Sequence, residues 1–143
     1  MKTIALRFGE HFAPEGGTIA AHQSVINKYG FVWYGKLGSA VSKKVAQTIM
    51  ENDNPKILLI RSGKSERYWA FIESITKEQP DVKFIPPYYG DKKDAVNTWF
   101  KVVAFEDAPK DIMARCTIAS SGAKLGEASK RSMSPYFIIN YEE

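Results

Sequence analysis

The run "KILLIRSG", Lys56 to Gly63, constrains this chain more than any other stretch. Four consecutive apolar residues, Ile57 to Ile60, cannot alternate between core and water. Such a run reads as a central strand buried on both faces. The polar turn "SGKSE" follows, and then "RYWAFIESI", whose apolar residues fall on both alternate sets. Two strand-like runs joined by a short glycine-containing turn predict a hairpin.

The segments around this hairpin change period. "TIALRFG" alternates Ile4, Leu6 and Phe8 against Ala5 and Arg7, which predicts a first strand. "TIAAHQSVINKYG" sets Ile19, His22, Ile26 and Tyr29 on one helical face, with Thr18 as the expected N-cap, Lys28 in the last turn and Gly30 at the stop. "FVWYGK" is aromatic and β-branched, hence a second strand. Around "SKKVAQTIMENDNP", Val41, Val45, Ile49 and Met50 keep helical spacing, Ser42 is positioned as a cap, and Asn52 to Pro55 end the helix. "IPPYYGDKKD" reads as a loop, "TWFKVVAFED" as a long strand and "APKDIM" as a helical turn. "CTIAS" reads as a short strand, "SGAKLGEASKRSMSP" as a loop with room for a short helix, and "PYFIINY" as a closing strand. Regular strand–helix alternation stops after Pro55. The expectation is therefore one α+β domain over residues 1–143, a bent mixed β-sheet or small β-barrel with two or three helices packed at its side.

Composition excludes several classes. Apolar residues make up 44% and charged residues 25%, ordinary for a globular chain and too apolar for general disorder. A single cysteine, Cys116, allows no internal disulfide, and a reducing compartment is the simplest setting. No apolar run approaches the roughly 20 residues of a membrane span, and "MKTIALRFGEHF" has no signal-peptide h-region. A cytoplasmic location is the expectation. The net charge of +4 suits a partner carrying phosphates.

Gly30, Gly35 and Lys36 in "GFVWYGKLGS" match the spacing of a phosphate-binding P-loop. The chemistry does not follow. Phe31 to Tyr34 favour extended backbone where a loop must turn, and Leu37 stands where Ser or Thr would hold Mg²⁺. A different anion site survives: Lys36, Ser42, Lys43 and Lys44 gather at a helix start, where cations oppose the macrodipole unless an anion docks there. Solvated surface lysines explain the same residues. "RSGKSER" places Arg61, Ser62 and Lys64 at a hairpin turn, able to grip a phosphate or only to keep the turn soluble. Tyr88 and Tyr89 beside Lys92 and Lys93 have the pattern for stacking on a splayed base, or for covering the neighbouring prolines. His11 and His22 are the only histidines, and neither has metal-ligand spacing with Cys116. No motif requires a cofactor, and no catalytic set stands out.

The early strand, the helix ending at Tyr29–Gly30, "GFVWYGK", "ILLIRSG" with "YWAFIESI" behind it, and "TWFKVVAF" together resemble the PUA-like superfamily, which includes the EVE, YTH and ASCH domains. The resemblance implies a bent barrel with helices against it and nucleic-acid binding, with a flipped or modified base in an aromatic-lined pocket. Stacking would then come from Trp33, Trp69, Tyr88, Tyr89 and Trp99, and phosphate binding from Lys36, Ser42, Lys43, Lys44, Arg61, Ser62 and Lys64. The tryptophans equally fit a core role. Two other functional readings stand beside this one: a small enzyme acting on a nucleotide or phosphorylated ligand with His22 or a carboxylate as base, and a protein-interaction domain with exposed aromatics as its contact patch.

Overall fold

A computed structural model describes residues 1–61 and 64–142. The apolar run forms β3 (Lys56–Arg61), and Ile57 to Ile60 are all buried. Its side chains divide by parity, as a pleated strand requires. Ile57 and Leu59 enter one core, while Leu58 and Ile60 enter a second core on the opposite face. β1 (Lys2–Phe8) lies parallel to β3 and divides the same way: Ile4, Leu6 and Phe8 to the first core, Ala5 to the second. The expected hairpin partner is β4 (Arg67–Thr76), antiparallel to β3 with Ile60 opposite Arg67.

The other strands are β2 (Val32–Lys36), β5 (Thr98–Asp107), β6 (Cys116–Ile118) and β7 (Tyr136–Tyr141). Together they make one seven-stranded sheet in the order β2-β5-β4-β3-β1-β7-β6. The register of β4 against β5 shifts at Phe71 to Ser74, an irregularity of the kind that bends a strand.

The sheet is mixed, but it is not closed into the expected barrel. β2 and β6 are its two ends and do not pair. The sheet curls until the Lys36 ammonium on β2 lies 4.8 Å over the ring of Tyr136 on β7. The chain leaving β2 is held against the start of its neighbour β5. Thr98 Oγ1 accepts the Val41 N–H at 3.0 Å, and the Asn97 amide donates to the Gly38 carbonyl at 2.8 Å. The helix that follows places fully buried Ile49 in the first core.

Four α-helices are present among the described residues, more than the two or three expected. α1 (Thr18–Tyr29) and α2 (Lys43–Met50) contribute Val25 and Ile49 to the first core. α3 (Ile112–Arg115) and α4 (Leu125–Arg131) contribute Ile112 and Leu125 to the second. Ser42 caps α2, its hydroxyl accepting the Val45 N–H. Gly30 ends α1 with φ 88°, where its N–H reaches the Ile26 carbonyl, a conformation that glycine adopts without steric cost. Thr18 is not the cap of α1. Gly17 holds that place with φ 95°, and the Glu10 carboxylate accepts the Thr18 N–H from outside the helix. "IPPYYGDKKD" is not irregular throughout: Pro87–Ala95 winds as 3₁₀ turns broken at Gly90. No helix of the described residues is long and apolar enough to cross a membrane.

Candidate functional site

The curl of the sheet leaves a groove of about 320 Å³ between β1, β2 and the 3₁₀ segment. β1 and the loop after it supply Leu6, Arg7, Phe8, His11 and Phe12; β2 and its continuation supply Tyr34, Gly35, Lys36 and Leu37; the 3₁₀ segment supplies Tyr88, Tyr89 and Lys92. Three cations line this groove and no carboxylate does so among the described residues.

One wall is fixed by a buried chain of hydrogen bonds. His22 is fully buried, with Nδ1 2.8 Å from the Thr18 carbonyl and Nε2 2.7 Å from the Tyr89 hydroxyl. A carbonyl only accepts, so Nδ1 carries the proton. Burial lowers the His22 pKa to about 4, which keeps the ring neutral and leaves Nε2 as an acceptor. The Tyr89 hydroxyl therefore donates to His22 and accepts the Gly35 N–H at 3.0 Å. Tyr89 also stacks on Trp99, with centroids 5.9 Å apart and planes 20° from parallel. Burial raises the pKa values of Tyr34, Tyr88 and Tyr89, so all three rings present neutral hydroxyls.

The cations differ in their freedom. Arg7 donates to the carbonyls of Ser129, Ser132 and Ser134 and so ties the end of α4 to β1. Lys36 is 5% exposed and donates to the carbonyls of Leu37 and Ser39. Burial lowers its pKa. These two set a fixed positive potential in the wall. Lys92 is exposed and lies 3.8 Å over the ring of Phe12, which is 64% exposed at the rim.

The residues singled out from the sequence divide sharply. Lys36, Tyr88 and Tyr89 line the groove. Trp99 is fully buried behind Tyr89, and its indole N–H has no partner among the described residues. Trp33 packs half-buried beside them. Trp69 is 2% exposed in the second core, against Tyr141, so it cannot meet a ligand in the groove. Strand parity and the layer carrying α3 and α4 put it there. Ser42, Lys43 and Lys44 are exposed at the start of α2 but outside the groove lining. The Ser42 hydroxyl is engaged with the Val45 N–H. Arg61 pairs with Glu66 at 2.7 Å and lines a different cleft, and Lys64 lies beyond it at the hairpin turn. Ser62 falls outside the described residues. His22, weighed as a base, is sealed from the groove behind Tyr89. Burial pushes the Cys116 thiol up to about 11, as for a small apolar core residue.

Arg7, Phe12, Tyr34 and Leu37 also line the groove, beyond the residues expected there. "GEHFAPEGG" carries a signal for one of them: Phe12 stands in a polar segment rich in glycine and proline, where a large ring has no core to enter.

A model of the Pua-like family matches residues 4–131. The chain belongs to the PUA-like family. No curated protein and no solved structure matches it significantly. PUA-like domains often bind RNA, and in this one the aromatic, basic groove lies wholly within the matched residues except for Pro135.

Proposed function

We propose that this PUA-like protein binds single-stranded nucleic acid and takes one base, turned out of its stack, into the groove between β1, β2 and Pro87–Ala95. One observation carries the reading: a groove with Phe12, Tyr34, Tyr88 and Tyr89 on its walls has Arg7, Lys36 and Lys92 around it and no lining carboxylate among the described residues. Aromatic faces accept any base, and fixed cations favour its phosphates. Tyr88 and Phe12 are the stacking faces, and Lys92 is the exposed cation for a flanking phosphate. The predominantly apolar lining also suits a base carrying an added methyl group. Trp69 and Trp99 have no part in this reading.

Fluorescence anisotropy with labelled single-stranded RNA and DNA tests it. Binding should weaken as salt rises, with a log–log slope of about −0.7 per phosphate contact. Phe12→Ala and Tyr88→Ala should each cost about 1–3 kcal/mol, roughly 5- to 150-fold in Kd. Undetectable binding to either polymer at low salt would end the proposal.

A further inference from the structure

The surface beyond the groove is sorted by charge. A second cleft of about 830 Å³, beside the loop that follows β1, is lined by Glu10, Glu66, Glu106 and Asp107, and its one cation among the described residues, Arg61, is paired with Glu66. A third cleft, of about 450 Å³, lies between the last turns of α1 and residues 82–93. Lys28, Lys83 and Lys93 line it, and no carboxylate does so among the described residues. None of these lysines is in an ion pair among the described residues, and the Lys93 ammonium donates to the Gly90 carbonyl at 3.1 Å. Asp81, the nearest acid in sequence to Lys83, is engaged in accepting the Lys83 backbone N–H.

This third cleft adjoins the groove. Tyr89 is a wall of both. It also has aromatic surface of its own. Tyr29 lines it, braced edge-on by Phe84 at 5.2 Å, and Phe84 meets Phe31 at 4.6 Å. The Lys28 and Lys83 ammonium groups hover 5.2 and 5.1 Å from the Tyr29 ring centre. A polyanion leaving the groove therefore meets attraction on the Tyr89 side and repulsion on the Glu10 side.

Resting on the reading of the groove as a base site, we infer that the bound strand continues across Tyr89 into the third cleft. The nucleotides next to the inserted base lie there, with phosphates at Lys28, Lys83 and Lys93 and one base against Tyr29. The acidic cleft excludes the opposite path. Rings and unpaired cations in one concavity are the combination that sequence-tolerant single-strand binding uses.

The test compares a trinucleotide with an oligonucleotide of about 12 nucleotides, both single-stranded and made as RNA and as DNA. The proteins are wild type, Lys28→Glu/Lys83→Glu, and the control Lys110→Glu/Lys124→Glu, which makes the same charge change beside α3 and α4. Lys28 and Lys83 are exposed, so their variant should fold. Wild type should bind the longer strand at least about tenfold more tightly. Lys28→Glu/Lys83→Glu should erase that advantage, leave the trinucleotide within about twofold, and lower the magnitude of the salt slope by about 1.4 for two lost contacts. The control should keep most of the advantage. If wild type binds both lengths equally, or both variants lose the longer strand alike, the path is wrong and the groove reading stands. If wild type binds neither length, both fall.

Discussion

Replacing Tyr89 by Phe removes one oxygen and leaves the ring on Trp99. The loss is larger than one surface hydroxyl would cause, because that oxygen serves two partners. It donates to His22 Nε2 at 2.7 Å and accepts from Gly35 N–H at 3.0 Å. His22 is fully buried, so its acceptor is left without water, at about 1–3 kcal/mol. Gly35 is half-buried on the groove wall, where water can replace the phenol, so its share is about 0.5–1 kcal/mol. Together Tyr89→Phe should cost about 1.5–4 kcal/mol. For a chain of this size that lowers Tm by about 5–15 °C. Urea denaturation with an unchanged slope, paired with a thermal melt, measures it. In a His22→Met background the same substitution should cost only the Gly35 share. A variant within about 0.5 kcal/mol of wild type would show that the hydroxyl is not the buried link described, and the fixed groove wall would lose its basis.

Four further outcomes follow from the same structure. The His22 pKa falls from 6.5 to about 4 on folding, so below pH 6.5 the unfolded chain takes up a proton that the folded chain refuses. Stability is therefore lost as pH drops from about 6.5 to 4, by about 3 kcal/mol from this group; a His22→Met chain should show a correspondingly flatter decline in denaturation across that window. Gly35→Ala would bring a Cβ to 3.0 Å from Trp99, Tyr89 and Val96 side-chain atoms, and crowding of this kind costs about 1–3 kcal/mol by urea midpoint. Ile49→Ala, fully buried where α2 packs into the first core, should cost about 2–5 kcal/mol by the same assay. Arg7→Met should destabilise by about 1.5–3 kcal/mol and speed amide exchange in α4, whose last turn and following loop the guanidinium holds.

Much of the fold was legible because its signals are local. The two-faced burial of β3 follows from four apolar residues in a row, and the hairpin from the turn beside it. Ser42 and Gly30 act at the helix ends where their chemistry placed them. The barrel expectation failed because closure is a pairing between strands far apart in sequence: β2 and β6 end the sheet, and no pattern local to either strand says whether such ends meet. The helix count failed for a related reason. α3 has four residues and α4 seven; elements this short carry little periodicity and are held by packing on the sheet.

The candidate site was legible only in part. The Tyr88–Tyr89–Lys92 cluster reached the groove, and so did Lys36. Trp69 and Trp99 looked equally suitable in sequence, yet both are core residues.

Alternation along this chain was enough to say which residues share a side of each strand, because a pleated backbone turns successive side chains to opposite faces. It could not say which sides stay open. Segments far away in sequence decide that: residues 112–131 cover the face bearing Trp69, and residues 85–96 cover Trp99 while leaving Tyr88 and Phe12 at the groove. Whether a ring stacks on a guest or fills the interior depends on what packs over it, and only the tertiary structure supplies that.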